Sequence, residues 1–212
     1  MIEPNAPLLV ALLALAYFVR WLAAKDATTG FDTYFYLLSS REVHRQGVGI
    51  SGSLKLPLIP EQSLAVPYLC QWCAGLLPED ILRNHHGKIG LIADSLFALT
   101  VYGVTISAGF NAGTALAVFL LYLFTPAMFS RVAIGPRVSN FTPRLFSEIF
   151  GNLFFMVVFL PLPISPMWQL MVSSVLAALI ILTSKFGLQV MLFVVPLASM
   201  FAGDGTGVLA FL

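Results

Sequence analysis

Six stretches of this chain are apolar over the roughly 20 residues that a bilayer crossing requires. They lie near residues 7–24, 89–108, 113–130, 145–164, 167–184 and 186–202. In hydrocarbon every backbone N–H and C=O must find a partner within the protein, so stretches of this kind are read as helices. Charged residues make up 10% of the chain and hydrophobic ones 58%, with mean hydropathy +0.90. A soluble domain carries about 25% charged residues. A water-soluble globule of this size has too little interior for so much apolar side chain. Soluble enzymes, nucleic-acid binders and disordered proteins are excluded, and the net charge of +1 implies no bulk electrostatic partner. The expected fold class is therefore all-α, a polytopic integral membrane helical bundle forming a single transmembrane domain over residues 1–212.

The first stretch reads PLLVALLALAYFVRWLAA. Arg20 lies near its end, where it is expected to snorkel to the interface beside Trp21. No basic region precedes it, and Glu3 stands there instead, so the reading is an uncleaved anchor rather than a signal peptide. The joints Gly109–Gly113, Pro161-Leu162-Pro163 and Gly203-Asp204-Gly205 are short and rich in turn residues, which favours antiparallel neighbours. The final VLAFL opens a seventh apolar segment that stops after five residues, so the chain is expected to be part of a longer one.

Residues 25–88 differ from the rest. They hold all three histidines, both cysteines and six of the ten acidic residues, and a loop this long is more often functional than not. Within it, GFDTYFYLLSSREVHRQG predicts a helix from Phe31 to Gln46, with Phe31, Tyr34, Phe35 and Leu38 as an apolar stripe on the membrane surface. Asp32 falls in its first turn and Tyr36 one turn later on the same face. The stretch GVGISGSLKLPLIPEQS is expected to be irregular. LAVPYLCQWCAGLLPEDILRN then suggests a second interfacial helix, with Glu61 just before it. From position alone, Asp32 and Glu61 are equally well explained as acidic residues at helix starts. Cys70 and Cys73 form a single C-x-x-C, half of what a structural zinc site needs, and read as packing residues. Asp94 and Glu148 lie inside apolar stretches near their ends; they are either interfacial or functional.

The order of these features resembles the GT-C superfamily of membrane glycosyltransferases. A first span is followed by G-F-D-T-Y-F-Y heading a helix, then by Leu56-Pro57-Leu58-Ile59-Pro60, V-P-Y-L-C-Q-W and L-L-P-E-D before the second span. T-P-A-M-F-S-R and T-P-R-L-F-S-E further along are similar to members of this group, which includes oligosaccharyltransferase catalytic subunits, protein O-mannosyltransferases and aminoarabinose transferases. The resemblance implies a sugar donor linked to polyprenyl phosphate, an extracytoplasmic acceptor, and a multi-pass location in the plasma (inner) membrane or the endoplasmic reticulum. It implies that Asp32 acts on the acceptor or holds a divalent cation, Mg or Mn, and that Glu61 is the second acidic residue. Where relatives carry a histidine or asparagine one turn after the acid, this chain has Tyr36.

The residue types suit that chemistry. A carboxylate can take the proton of a poor nucleophile, and the developing charge on a lipid phosphate calls for arginine. Arg131, Arg137 and Arg144 cluster after the third span, on the side of the long loop. Arg20 and Lys185 fall on that side too, and the opposite side has no lysine or arginine. The positive-inside rule would make this face cytoplasmic, whereas the resemblance makes it extracytoplasmic. The latter is the expectation adopted, because an anionic lipid substrate gives these arginines another reason to be there. The rival expectation is a transporter or lipid-handling protein without catalysis, in which Asp94 and Glu148 line a pathway.

Overall fold

The computed structural model describes residues 6–24, 31–57, 59–67, 69–125 and 141–202, with the backbone alone described at residues 31–32, 51–52, 59–67 and 202. The described elements are α1 (Ala6–Ala24), α2 (Phe31–Arg45), β1 (Ser51–Leu56), β2 (Ile59–Pro67), α3 (Leu69–Gly75), α4 (Glu79–Ser107), α5 (Ala112–Leu123), α6 (Pro143–Phe159), α7 (Pro166–Thr183), α8 (Lys185–Gln189), a π-helical turn (Val190–Val194) and α9 (Val195–Ala202). Three helices, α1, α4 and α7, are long and apolar enough to cross a membrane; α5 and the Lys185–Phe201 stretch are apolar but shorter.

Two helical groups make the core. In the first, α1, α4 and α5 pack through Leu12, Ala16, Ala98, Tyr102, Ala115, Phe119 and Leu123. Ala16, Ala98 and Ala115 have no exposed surface, so small side chains let the three backbones approach closely. In the second, Phe154 and Val158 of α6 meet Leu176, Ala177 and Ile180 of α7, with Met191 and Val195 behind them. The groups join where Leu91 of α4 meets Leu145 of α6, flanked by Ala24 and Ile149. The end of α1 and the beginnings of α4 and α6 therefore share one end of the bundle, the end that carries residues 31–78.

Local chemistry sets the helix limits. Asn111 caps α5 by accepting from Thr114 N at 2.9 Å, after Gly109 turns the chain with φ +90°. Ser165 caps α7 with Pro166 at its first position, and Thr142 and Pro143 open α6 in the same way. Helix α6 stops at Phe159, short of the expected Ile164, because Pro161 and Pro163 cannot continue it. The carbonyls of Val157 and Val158 at its end accept from Gln169 Nε2 of α7 at 2.9 and 3.2 Å. Helix α4 begins at Glu79 rather than Ile89, so the second stretch is one long helix with a polar first third. Helix α5 ends at Leu123, and residues 126–130 of the expected third span lie outside the described residues.

The long loop is more ordered than expected. The stretch read as irregular forms an antiparallel hairpin, with Leu54 opposite Leu64 and Lys55 opposite Ser63, and a register shift at Lys55/Leu56. Leu54 and Leu56 point inward against Val43, while Ser53 and Lys55 face out. The Gln46 side chain extends the pairing: its amide nitrogen donates to Lys55 O at 2.6 Å and its oxygen accepts from Lys55 N at 3.2 Å. The second interfacial helix is confined to α3, because Leu64–Pro67 belong to β2 and Pro78 separates α3 from α4.

Helix α2 forms over Phe31–Arg45 as the spacing predicts, but its faces are used differently. Phe35 and Leu38 pack on the hairpin, and Tyr36 and Leu37 pack toward Cys70, Ala74, Leu82 and Phe141. Tyr34, expected in the apolar stripe, is exposed. The helix is thus wedged between two parts of the protein. Its buried Ser39 and Ser40 hydroxyls donate to Phe35 O and Tyr36 O, at 2.7 and 2.8 Å. Near its end, hydrogen bonds from Arg45, and secondarily from Gln46, hold the Glu42 carboxyl below its ordinary titration range.

Candidate functional site

Helix α5 is only 12 residues long, and its last residue, Leu123, is buried in the cluster it forms with α1 and α4. The last carbonyls of a helix have no partner within it and carry its negative pole. Arg20 of α1 meets this end. Its Nη1 donates to Leu123 O at 2.6 Å, its Nη2 to Tyr122 O at 3.3 Å, and its guanidinium lies 5.2 Å from the centre of the Tyr122 ring. A buried guanidinium needs a counter-charge. Asp94 of α4 supplies it: Arg20 Nε donates to Asp94 Oδ2, and Tyr122 Oη donates to Asp94 Oδ1 at 2.5 Å. Arg20 and Asp94 both have no exposed surface. The expectation that Arg20 snorkels to the interface is therefore overturned, because its acceptors lie inward on two neighbouring helices. Asp94 is likewise buried among the helices.

Asp94 and Tyr122 form one edge of a cavity of about 710 Å³ between α4, α5, α6 and the Lys185–Val194 stretch. On α6, Arg144 Nε donates to Glu148 Oε1 at 2.7 Å, one helical turn along, and the two side chains are about 30% exposed. The Arg144 guanidinium also lies 5.1 Å from the centre of the Phe186 ring. Asn152 and Gln189 add neutral polar groups, while Phe155, Phe193 and Val194 make the remaining wall apolar. The π-helical turn supplies Val190, Phe193 and Val194 to this wall, a local rewinding often found at functional sites. The cavity thus combines charged groups with aromatic side chains, the lining expected for an amphiphile.

The other candidates are distributed unevenly. Asp32 stands in the first turn of α2, and Glu61 lies in β2 instead of preceding a helix; the side chains of both lie outside the described residues. Arg131 and Arg137 also lie outside the described residues. Tyr36 packs toward Cys70 and Phe141, with its ring edge-on to Phe35 at 5.5 Å. Cys70 is buried and Cys73 exposed, both as free thiols, and burial pushes the Cys70 thiol well above its ordinary range. Among the described residues no group of three or more metal-ligating side chains comes together. Tyr122, Asn152 and Gln189 were not read from the sequence, where they are uncharged members of apolar stretches. Their polarity within those apolar stretches was the available signal. Comparison with family models, curated proteins and solved structures finds no match to this chain, so what it does must be argued from its own residues.

Proposed function

We propose that this chain is a GT-C-type glycosyltransferase, multi-pass in its membrane, that moves a sugar from a polyprenyl-phosphate-linked donor to an extracytoplasmic acceptor. The observation that carries the reading is the cavity that pairs the charged residues Arg144 and Glu148 with an aromatic wall. A lipid phosphate needs both parts: a cation for its oxygens and apolar surface for its isoprenoid chain. The five N–H donors of a guanidinium allow Arg144 to hold Glu148 and a phosphate oxygen together. In the reaction, Asp32 takes the proton from the acceptor's nucleophilic atom. That atom bonds to the anomeric carbon as the bond from this carbon to the phosphate oxygen breaks, and the lipid phosphate leaves with its charge compensated by Arg144. A divalent cation on Asp32 would supply the same activation as a Lewis acid. The test is transfer from a panel of polyprenyl-phosphate sugars by the full-length protein in liposomes. Product that requires both Asp32 and Arg144 is the expected result, and no turnover with any donor overturns the reading.

A second reading, a transporter or lipid-handling protein without catalysis, is favoured by one observation: Asp94 and Glu148 line the same cavity. Under that reading the same liposomes would move solute or lipid across the bilayer with no covalent product, and Asp94→Asn would abolish the movement.

A further inference from the structure

A second cavity of about 710 Å³ lies away from the first, where the later turns of α2 meet α3 and the first turns of α4. Two elements contribute basic side chains to its lining, Arg41 and His44 from α2, and Arg83 and His86 from α4. Both histidines are anchored to the backbone. His44 Nε2 donates to Trp72 O at 2.9 Å, and His86 Nδ1 donates to Leu82 O at 3.1 Å. Glu79 is the one carboxylate among the residues that line the cavity. It meets Arg41 at 3.3 Å with both side chains about two-thirds exposed, a pair weak enough to yield Arg41 to a stronger acceptor. Near these residues in the chain, Leu76, Leu77 and Ile81 are exposed, as is Tyr34.

Position adds to composition. The 29 residues of α4 extend about 43 Å at 1.5 Å per residue, against a hydrocarbon thickness of about 30 Å. Its apolar run begins near Ile89, so Arg83 and His86 stand one to two turns outside it, at headgroup depth. We infer that this crevice binds the phosphate of an anionic phospholipid headgroup, with the exposed leucines and isoleucine resting on the upper acyl chains. The inference rests on α4 lying in a bilayer and is independent of the glycosyltransferase reading. The apolar rim selects a lipid over free phosphate, which would gain nothing from it.

The test uses the full-length protein in a neutral detergent, titrated with short-chain phosphatidylglycerol, phosphatidylcholine and inorganic phosphate. Phosphatidylglycerol should bind in preference to phosphatidylcholine. Arg41→Gln with Arg83→Gln should weaken it about tenfold, the product of two exposed charge contacts. Both arginines are surface residues, so the fold should be unaffected, which circular dichroism checks. Arg45→Gln, at the same helix end but held by Glu42, should leave the affinity unchanged. Unchanged phosphatidylglycerol affinity in the double variant would overturn the inference. So would equal affinity for phosphatidylcholine, or displacement of the lipid by an equal concentration of inorganic phosphate.

Discussion

Arg20 does two jobs that a single substitution cannot separate. It neutralises Asp94 and it satisfies the terminal carbonyls of α5. Removing one partner of a buried ion pair strands the other and costs about 3–5 kcal/mol. Asp94→Ala and Arg20→Met should each destabilise the bundle by that order in detergent unfolding. The double variant Arg20→Met/Asp94→Leu should recover part of the loss but not all, because the Leu123 carbonyl still lacks its donor. Full recovery would show that the carbonyl contacts contribute nothing. Asp32 is a different kind of residue, exposed to test by chemistry instead of stability. Asp32→Asn keeps the size and removes the basicity, and general-base help is typically worth about 10²–10⁴-fold, so transfer should fall at least about 100-fold with normal expression. Near-normal turnover would remove Asp32 from the mechanism and make Glu61 the next residue to assay.

At the scale of elements, the elbow between α7 and α8 governs the shape of the first cavity. Ser184 is extended and caps α8 by accepting from Phe186 N at 3.2 Å, so the chain changes direction within a single residue. Gly187 then comes so close to α7 that a Cβ there would lie 2.3 Å from Ile180 O. Backbone cannot yield as a flexible side chain can, so Gly187→Ala must open the elbow, with an overpacking cost of about 1–3 kcal/mol. Phe186, Gln189 and Phe193 would move with it, and all three line the cavity. The expected result is weaker donor binding with a smaller loss of stability than the Arg20 and Asp94 variants show. Donor affinity that survives Gly187→Ala unchanged would mean that the Lys185–Val194 wall does not contact the ligand.

For the whole molecule, the long helices were legible because hydropathy and proline placement are local signals. The hairpin was not, although its Ser53-Leu54-Lys55-Leu56 alternation was present, because the surrounding glycine, serine and proline point to irregular structure. The Arg20–Asp94 pair, 74 residues apart in the chain, has no local signature at all, and Arg20 read alone looks like an interfacial anchor. The Arg144–Glu148 pair was within reach of spacing, being one turn apart on a predicted helix. Orientation is the property on which charge and resemblance conflict, and the two thiols offer a way to decide it. Cys73 is exposed on α3, at the bundle end shared by α2 and the start of α6, whereas Cys70 is buried with its thiol held protonated. An impermeant thiol reagent should therefore modify Cys73 and spare Cys70. With a Cys70→Ala background and intact cells, modification of Cys73 before the membrane is breached is the expected result, since the acceptor of the proposed reaction is extracytoplasmic. Modification only after permeabilisation would put α2, α3 and Asp32 in the cytoplasm. The basic residues at that end would then obey the positive-inside rule, and an extracytoplasmic transfer reaction at Asp32 would be untenable.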